Sequence, residues 1–399
     1  MTAKEFYSTR LNQLTAQQSK LLRKKNNFAW LRLANILLLI AAIYFTWPMG
    51  WAYVAVSVVV LLILFAQIIY RDLANRAAIA HNQQLININQ NELKALAHEY
   101  FQFENGSEFS PKEHLYANDL DVFGHASLFQ FCNRTVSEMG AAQLAQWLLR
   151  PATAGEILQR QEAVKELAEK HTWHQNLQAL GKQVPVTLRT QQRLEGWLQE
   201  PALFSSFVHW RWLRFLLPAI SITITLAFFV GLLPQQIFYL NLFIMAMVAL
   251  PQEKKVNEIH NRLSKMVDEL ETLSKSIEAI EKEEFASPLL KTMQEQYKQQ
   301  QYSASQKIKE LKKILDRLDV RFNIVLVFPL NLLLLWNLQQ MLQLEKWKKK
   351  NDADVSQWFD TLGTFEALIS FAVIHFNQPD WVFPVLKDEY FSIEATNLG

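Results

Sequence analysis

The stretch FAWLRLANILLLIAAIYFTWPMGWAYVAVSVVVLLILFAQIIY, residues 28–70, decides how the rest of the chain is read. Phe28 to Trp47 is apolar apart from Arg32 and Asn35, and Trp51 to Tyr70 is apolar apart from Ser57 and Gln67. Each run has about the 20 residues that a helix needs to cross the hydrocarbon of a bilayer. Only Pro48-Met49-Gly50 separates them, which predicts a tight helical hairpin with Trp47, Trp51 and Tyr53 as an interfacial belt at its tip. A second pair follows. Leu213 to Leu233 is apolar with a few hydroxyls and Pro218, and Ile237 to Leu250 is apolar up to Pro251, with LLPQQ as the turn. The fourth run is short for a bilayer and would span by starting inside the turn or by thinning the lipid locally. The alternative is a set of buried core helices. Two nearly uncharged runs of this length in tandem are hard to bury in a chain of 399 residues.

The flanking charges agree with one topology. Arg23, Lys24 and Lys25 precede the first run, and Arg71 and Arg76 follow the second. Arg211 and Arg214 precede the third, Lys254 and Lys255 follow the fourth, and neither turn is charged. Positive residues stay in the cytoplasm, so both termini and the soluble parts are expected there, with the turns outside. A fifth apolar run, Asn323 to Trp336, is interrupted by Pro329 and Asn331. A fifth crossing would carry the tract Lys346-Trp347-Lys348-Lys349-Lys350 outside, against that rule. A packed or membrane-grazing helix is the expectation.

Composition supports helices throughout. Half of the residues are hydrophobic, while Gly and Pro number only 10 and 12, too few for a turn-rich sheet fold. The net charge of +2 gives no global field for nucleic acid. The single cysteine, Cys132, rules out an internal disulfide framework and sits among Leu128, Phe129 and Phe131, as a buried, inert thiol would. The polar first 27 residues are not a signal peptide.

Between and after the apolar pairs the chain reads as long helices. A helix leaving the second run should end within 92–103, before the loop ENGSEFSP. Ser137 is placed to cap a helix over Glu138–Leu149, stopped by Pro151, and Thr153-x-x-Glu156 forms the capping box of the next. Apolar residues at Val256, Ile259, Leu263, Met266, Leu270, Leu273, Ile277 and Ile280 recur at alternating steps of three and four. This heptad seam needs a partner helix, from the same chain or from a second protomer. Ile308, Leu311, Leu315 and Leu318 mark another amphipathic helix, and a last extended piece covers 382–397.

Chemical motifs are sparse. His171-x-x-His174 has the spacing of two metal ligands on a helix, but no Cys or further His lies nearby, and a surface pair is the plainer reading. Lys346, Lys348, Lys349 and Lys350 suit phosphates of anionic lipid or of DNA, or form a solvated helix end. Arg32 is either an intramembrane functional charge or a residue that snorkels to the polar edge. Glu283-Glu284 lies on a charged helix and suggests no catalytic pair. No nucleophile constellation and no phosphate-binding loop G-x-x-x-x-G-K-[ST] occurs.

The segments Leu120-Asp121-Val122-Phe123-Gly124, Ser127-Leu128-Phe129, Asn133-Arg134-Thr135-Val136, Met139-Gly140, Trp147-Leu148-Leu149-Arg150-Pro151 and Arg160-Gln161-Glu162-Ala163-Val164 resemble, in order and spacing, the start of the core or lever domain of the MutS DNA mismatch repair family. Within it, Gly140 would admit a neighbouring helix, Asn133, Arg134 and Thr135 would fix a turn, and Trp147 would anchor the core. Phe285-Ala286-Ser287-Pro288, Leu335-Trp336-Asn337-Leu338, Leu344-Glu345-Lys346-Trp347 and Phe365-Glu366-Ala367-Leu368 are similar to a membrane-anchored branch of that family, and Glu394–Gly399 looks like the entry to its ATPase domain. The departures are the missing Phe-x-Glu mismatch wedge, no recognisable strand-rich DNA clamp, and membrane runs in place of the mismatch-reading domain.

The resemblance implies an all-α polytopic protein of the bacterial inner membrane, with two transmembrane hairpins and a cytoplasmic MutS-like lever. These are expected as an N-terminal helix at 1–27, hairpins at 28–70 and 211–251, a linker at 71–119, and lever segments at 120–210 and 252–399. It further implies that the lever couples an ATPase domain, absent from these residues, to the hairpins. The lipid bilayer is the expected partner, with a homodimer and, less directly, DNA. No catalytic, metal or cofactor residue is expected here, nor any ATP hydrolysis. ATP and Mg would bind only the absent domain. The alternatives are a membrane-tethered DNA-binding protein and a scaffold that recruits partners by its coiled coil.

Overall fold

The computed structural model describes residues 2–204, 209–298, 302–386 and 394–395. Among these, the regular elements are all helices. In chain order the α-helices are α1 (Ala3–Thr46), α2 (Trp51–Ala95), α3 (Leu128–Cys132), α4 (Glu138–Leu149), α5 (Ala154–Glu169), α6 (His171–Gly181), α7 (Leu188–Gln199), α8 (Trp210–Phe229) and α9 (Gln235–Ala249). They continue with α10 (Glu253–Leu263), α11 (Val267–Lys282), α12 (Pro288–Tyr297), α13 (Ala304–Leu318), α14 (Ile324–Leu334), α15 (Trp336–Asn351) and α16 (Val355–Asn377). The chain divides into two compact units. One gathers residues 1–134, 167–183 and 371–383, and the other gathers 135–166, 184–370 and 384–399.

The first unit is built on α1 and α2, which pack along each other across a short 3-10 turn, Trp47–Met49. Gly50 makes the reversal possible because its φ of +112° is closed to most side chains. α1 joins the expected N-terminal helix and the first apolar run in one helix, and α2 ends within the expected 92–103. α1 starts at Ala3 with a Thr2–Glu5 capping box and crosses from polar to apolar sequence without a break. α2 continues to Ala95, and residues 96–103 form turns rather than helix. The change of composition does not interrupt either helix.

The two halves of the α1–α2 pair have opposite polarity. In one half Leu14, Leu85, Ile86 and Ile88 form a core cluster with Ala179 of α6, and Asn82 Nδ2 donates to the Leu14 carbonyl at 2.9 Å. In the other half large apolar residues such as Leu38, Phe45 and Val56 are exposed, while Asn35 and Asp72 are buried. Arg32 pairs with Asp72 at 3.4 Å, so it is held across the helix pair instead of reaching freely outward. By length and composition α1, α2, α8 and α16 could each cross a membrane. The apolar window of α16, however, is 67% buried, against 6%, 0% and 11% for α1, α2 and α8. α16 is a core helix.

In the second unit α8 and α9 pack together, and α14 packs against both. The fifth apolar run is thus a packed helix beside the second pair. α9 has 15 residues, fewer than a bilayer crossing usually takes. Between α8 and α9, Asn241 Nδ2 donates to Ser221 Oγ at 3.0 Å, both buried, while Leu226, Leu240 and Phe243 are exposed. The heptad seam, carried by α10, a 3-10 turn at Ser264–Met266 and α11, is filled from the same chain. All eight of its residues are at most 7% exposed, and α11 lies along α13. The extended piece is irregular over 381–386, and most of the remainder, including most of Glu394–Gly399, lies outside the described residues.

Candidate functional site

The chemistry-bearing residues of this chain are buried polar groups that hold backbone. In the first unit the centre is Arg134. Its Nε donates to Glu92 Oε1 at 2.5 Å and its Nη2 to Glu92 Oε2 at 3.2 Å, a bidentate pair with both side chains 4% exposed. Nη1 donates to the carbonyls of Phe131 and Asn133 at 2.9 and 3.1 Å, and the guanidinium lies 3.8 Å over the Phe103 ring. Asn377, the last residue of α16, donates to Glu92 Oε2 at 2.9 Å and accepts from Tyr7 Oη at 2.8 Å. Gln178 of α6 donates to the Arg134 carbonyl at 3.1 Å. One carboxylate on α2 thereby connects the start of α1, the turn after α3 and the end of α16. Burial, and after it Glu92, pushes the Tyr7 phenol well above its usual value. Burial holds the nearby Lys182 ammonium below its usual value, and Glu92 opposes that.

The second unit repeats the device with carboxylates on peptide N–H groups. Glu366 of α16 accepts from Val136 N at 2.9 Å, Ser137 N at 2.8 Å and Ser137 Oγ at 2.9 Å. Ser137 Oγ in turn caps α4 by accepting from Gly140 N at 3.1 Å. Burial raises the Glu366 carboxyl above its ordinary value, and these hydrogen bonds oppose the rise. Glu166 accepts from Ala286 N and Ser287 N at 2.8 and 2.6 Å, ahead of α12. Glu345 accepts from Leu203 N and Phe204 N at 2.7 and 2.9 Å. A charge-assisted bond to each of two successive amides fixes a loop more firmly than neutral bonds do.

Gly140 and Gly363 let α4 and α16 meet. A Cβ on Gly363 would lie 2.8 Å from the Met139 carbonyl oxygen, and one on Gly140 would lie 2.9 Å from Glu366 Cβ. Trp147 is only half-buried, with the Arg160 guanidinium 4.1 Å over its ring. It covers a charged side chain. Phe123 leans on Phe129 at 5.6 Å between ring centres, Gly124 takes φ +105°, and Pro151 is exposed after α4.

The remaining motifs resolve as follows. His174 is buried, not on the surface, with neither ring nitrogen hydrogen-bonded, and burial pushes its pKa down to about 3. The His171 ring packs against Phe376, 3.7 Å between ring centres and tilted by 40°. No group of metal-ligating side chains forms among the described residues. In the lysine tract, Lys348 donates to the carbonyls of Trp197 and Glu200. Lys350 lies 4.5 Å over the Tyr302 ring, and Lys346 and Lys349 are exposed. Burial pushes the Cys132 thiol up to about 12.

Glu92, Asn377 and Gly363 were not singled out from sequence, although Glu92 stands out as the acid ending the polar face of a long helix. The family model for MutS domain III matches residues 113–372, about two thirds of the chain. No curated protein and no solved structure matches it.

Proposed function

The chain belongs to the MutS family through its domain III, and from that premise we propose that it is a membrane-anchored member in which the family's core is mechanically joined to helices in the bilayer. The observation that carries this reading is α2. It runs unbroken from exposed apolar residues near Trp51 to Glu92, and Glu92 pairs with Arg134 of the family-matched segment. The inverted polarity of the α1–α2 and α8–α9 pairs supports the anchoring, since apolar residues face outward and Asn35, Asp72, Ser221 and Asn241 are buried. Helices solvated by lipid keep their polar side chains inward. In this proposal both termini are cytoplasmic, the membrane is the bacterial inner membrane, and a nucleotide-driven domain of the family moves the core. These 399 residues hydrolyse no ATP themselves.

Spin labels on the exposed faces of α1 and α8, in protein carrying the family's ATPase domain and reconstituted in vesicles, test the coupling. A distance change on adding ATP that Arg134→Gln abolishes is expected. Distances indifferent to nucleotide would overturn it. A membrane-tethered DNA-binding protein is the second reading, favoured by the family match and the exposed Lys346 and Lys349. Salt-dependent binding to duplex beyond that to other polyanions would support it.

A further inference from the structure

The geometry points to a phospholipid site in the second unit, selective for a headgroup bearing a primary ammonium. It rests on the reading that α8 and α9 lie in a bilayer. A cavity of about 490 Å³ opens between α9 and α14, with Leu242, Phe243 and Ala246 at its apolar end. Its other end holds Glu253, Asn331 and Asn337. Leu242, Ala246, Ala249 and Glu253 follow one another at helical spacing, so the apolar-to-polar gradient runs down α9 toward the start of α10.

The polar end is organised around one carboxylate. Asn331 Nδ2 and Asn337 Nδ2 both donate to Glu253 Oε1 at 2.8 Å, and Asn337 N donates to Asn331 Oδ1 at 2.9 Å. Asn337 is 3% exposed, and its Oδ1 has no hydrogen-bond partner. The donation to the carboxylate fixes which amide atom is the oxygen. The α14–α15 junction that holds the two asparagines passes through Leu335 at φ +50°, a left-handed conformation that costs a leucine about 1–2 kcal/mol. A strained junction of this kind persists where the surrounding contacts demand it.

The half-buried Glu253 carboxylate at this end calls for a cationic group with several N–H bonds, and the apolar stem of the cavity calls for an acyl chain. A primary ammonium supplies the N–H bonds, and a trimethylammonium of equal charge does not. Exposed Lys254 and Lys255 directly follow Glu253 in sequence. A charge-assisted bond from one ammonium to the Glu253 carboxylate is stronger than a neutral bond, which sets a preference of about tenfold or more.

The test is native mass spectrometry on the purified 399-residue chain in detergent, with phosphatidylethanolamine and phosphatidylcholine of identical acyl chains at equal concentration. Retention of the ethanolamine lipid at about ten times that of the choline lipid is expected, and free ethanolamine should not displace it. Glu253→Gln should bring the ratio near one. Ala246→Trp, which fills the apolar stem and leaves the polar end intact, should reduce binding of both lipids. Vesicle flotation of each variant reports anchoring separately. Equal retention by a wild-type chain that floats overturns the site alone, as does a preference that survives both substitutions or displacement by free ethanolamine. A wild-type chain that does not float overturns the membrane reading and this site with it.

Discussion

Replacing Arg134 by alanine leaves the Glu92 carboxylate buried with its bidentate partner gone. Removing one half of a buried ion pair costs about 3–5 kcal/mol, because the remaining charge stays desolvated. Arg134→Ala should lose that much in denaturant unfolding, and Arg134→Lys less, since it keeps the charge but not the fork. A loss below about 1 kcal/mol for the alanine variant, the range of an exposed pair, would contradict the account. His174 gives a pH prediction. Its folded pKa is lowered from 6.5 to about 3, so the unfolded chain takes up the proton first. Stability is then full above about pH 6.5 and falls with pH toward 3, by up to roughly 1.4 kcal/mol per pH unit. His174→Leu should flatten that slope, and an unchanged slope would place the acid sensitivity elsewhere. The sequence placed His171 and His174 on one helix face, but the surface position read from it fails for His174, which is buried. The spacing is local, whereas the burial comes from the packing of the whole unit.

At the scale of elements the signals that succeed are those written within a few residues. Ser137 and Pro151 bracket α4, and Thr153 N donates to Glu156 at 2.8 Å, as the capping box requires. The alternation of threes and fours marks the seam of α10 and α11, and the choice it left open, own chain or second protomer, falls to α13. The signals that fail belong to contacts. Nothing near Gly363 announces that the Met139 backbone will approach it, and a leucine gives no sign that it will turn left-handed at 335. Gly363→Ala should destabilise by about 1–3 kcal/mol, since a backbone carbonyl cannot swing aside as a side chain can. Gly196→Ala, on α7 with open space around it, should instead be neutral or stabilise by up to about 1 kcal/mol. Thermal unfolding of the two variants side by side checks the contrast, and equal effects would mean that the α4–α16 crossing is not tight.

At the scale of the whole molecule, hydropathy and charge made the apolar pairs legible, because both are properties of composition. The grouping of the chain was not legible. Residues 1–134, 167–183 and 371–383 form one unit, and no local pattern joins segments so far apart. Topology is open to direct measurement. Cys132 is buried with its pKa near 12, so it should stay silent to thiol reagents in the folded chain. Single cysteines introduced at Met49 and at Lys254 should then react from opposite faces of a sealed vesicle. Labelling of both from one face would contradict the proposed orientation.

The hydrogen bond from Tyr7 to Asn377 joins positions 370 apart, and this sets an order in time. At about 5–20 residues per second of synthesis, Tyr7 waits roughly 20 to 70 s for its partner to leave the ribosome. Glu92 meets Arg134 much sooner, after only 42 further positions. The charge is therefore neutralised early, and the last bond to the same carboxylate, from Asn377, forms only when α16 has been made to its final residue. A nascent chain halted within α16 would carry a paired Glu92 and an unlatched α1, and a protease could tell it from the finished protein.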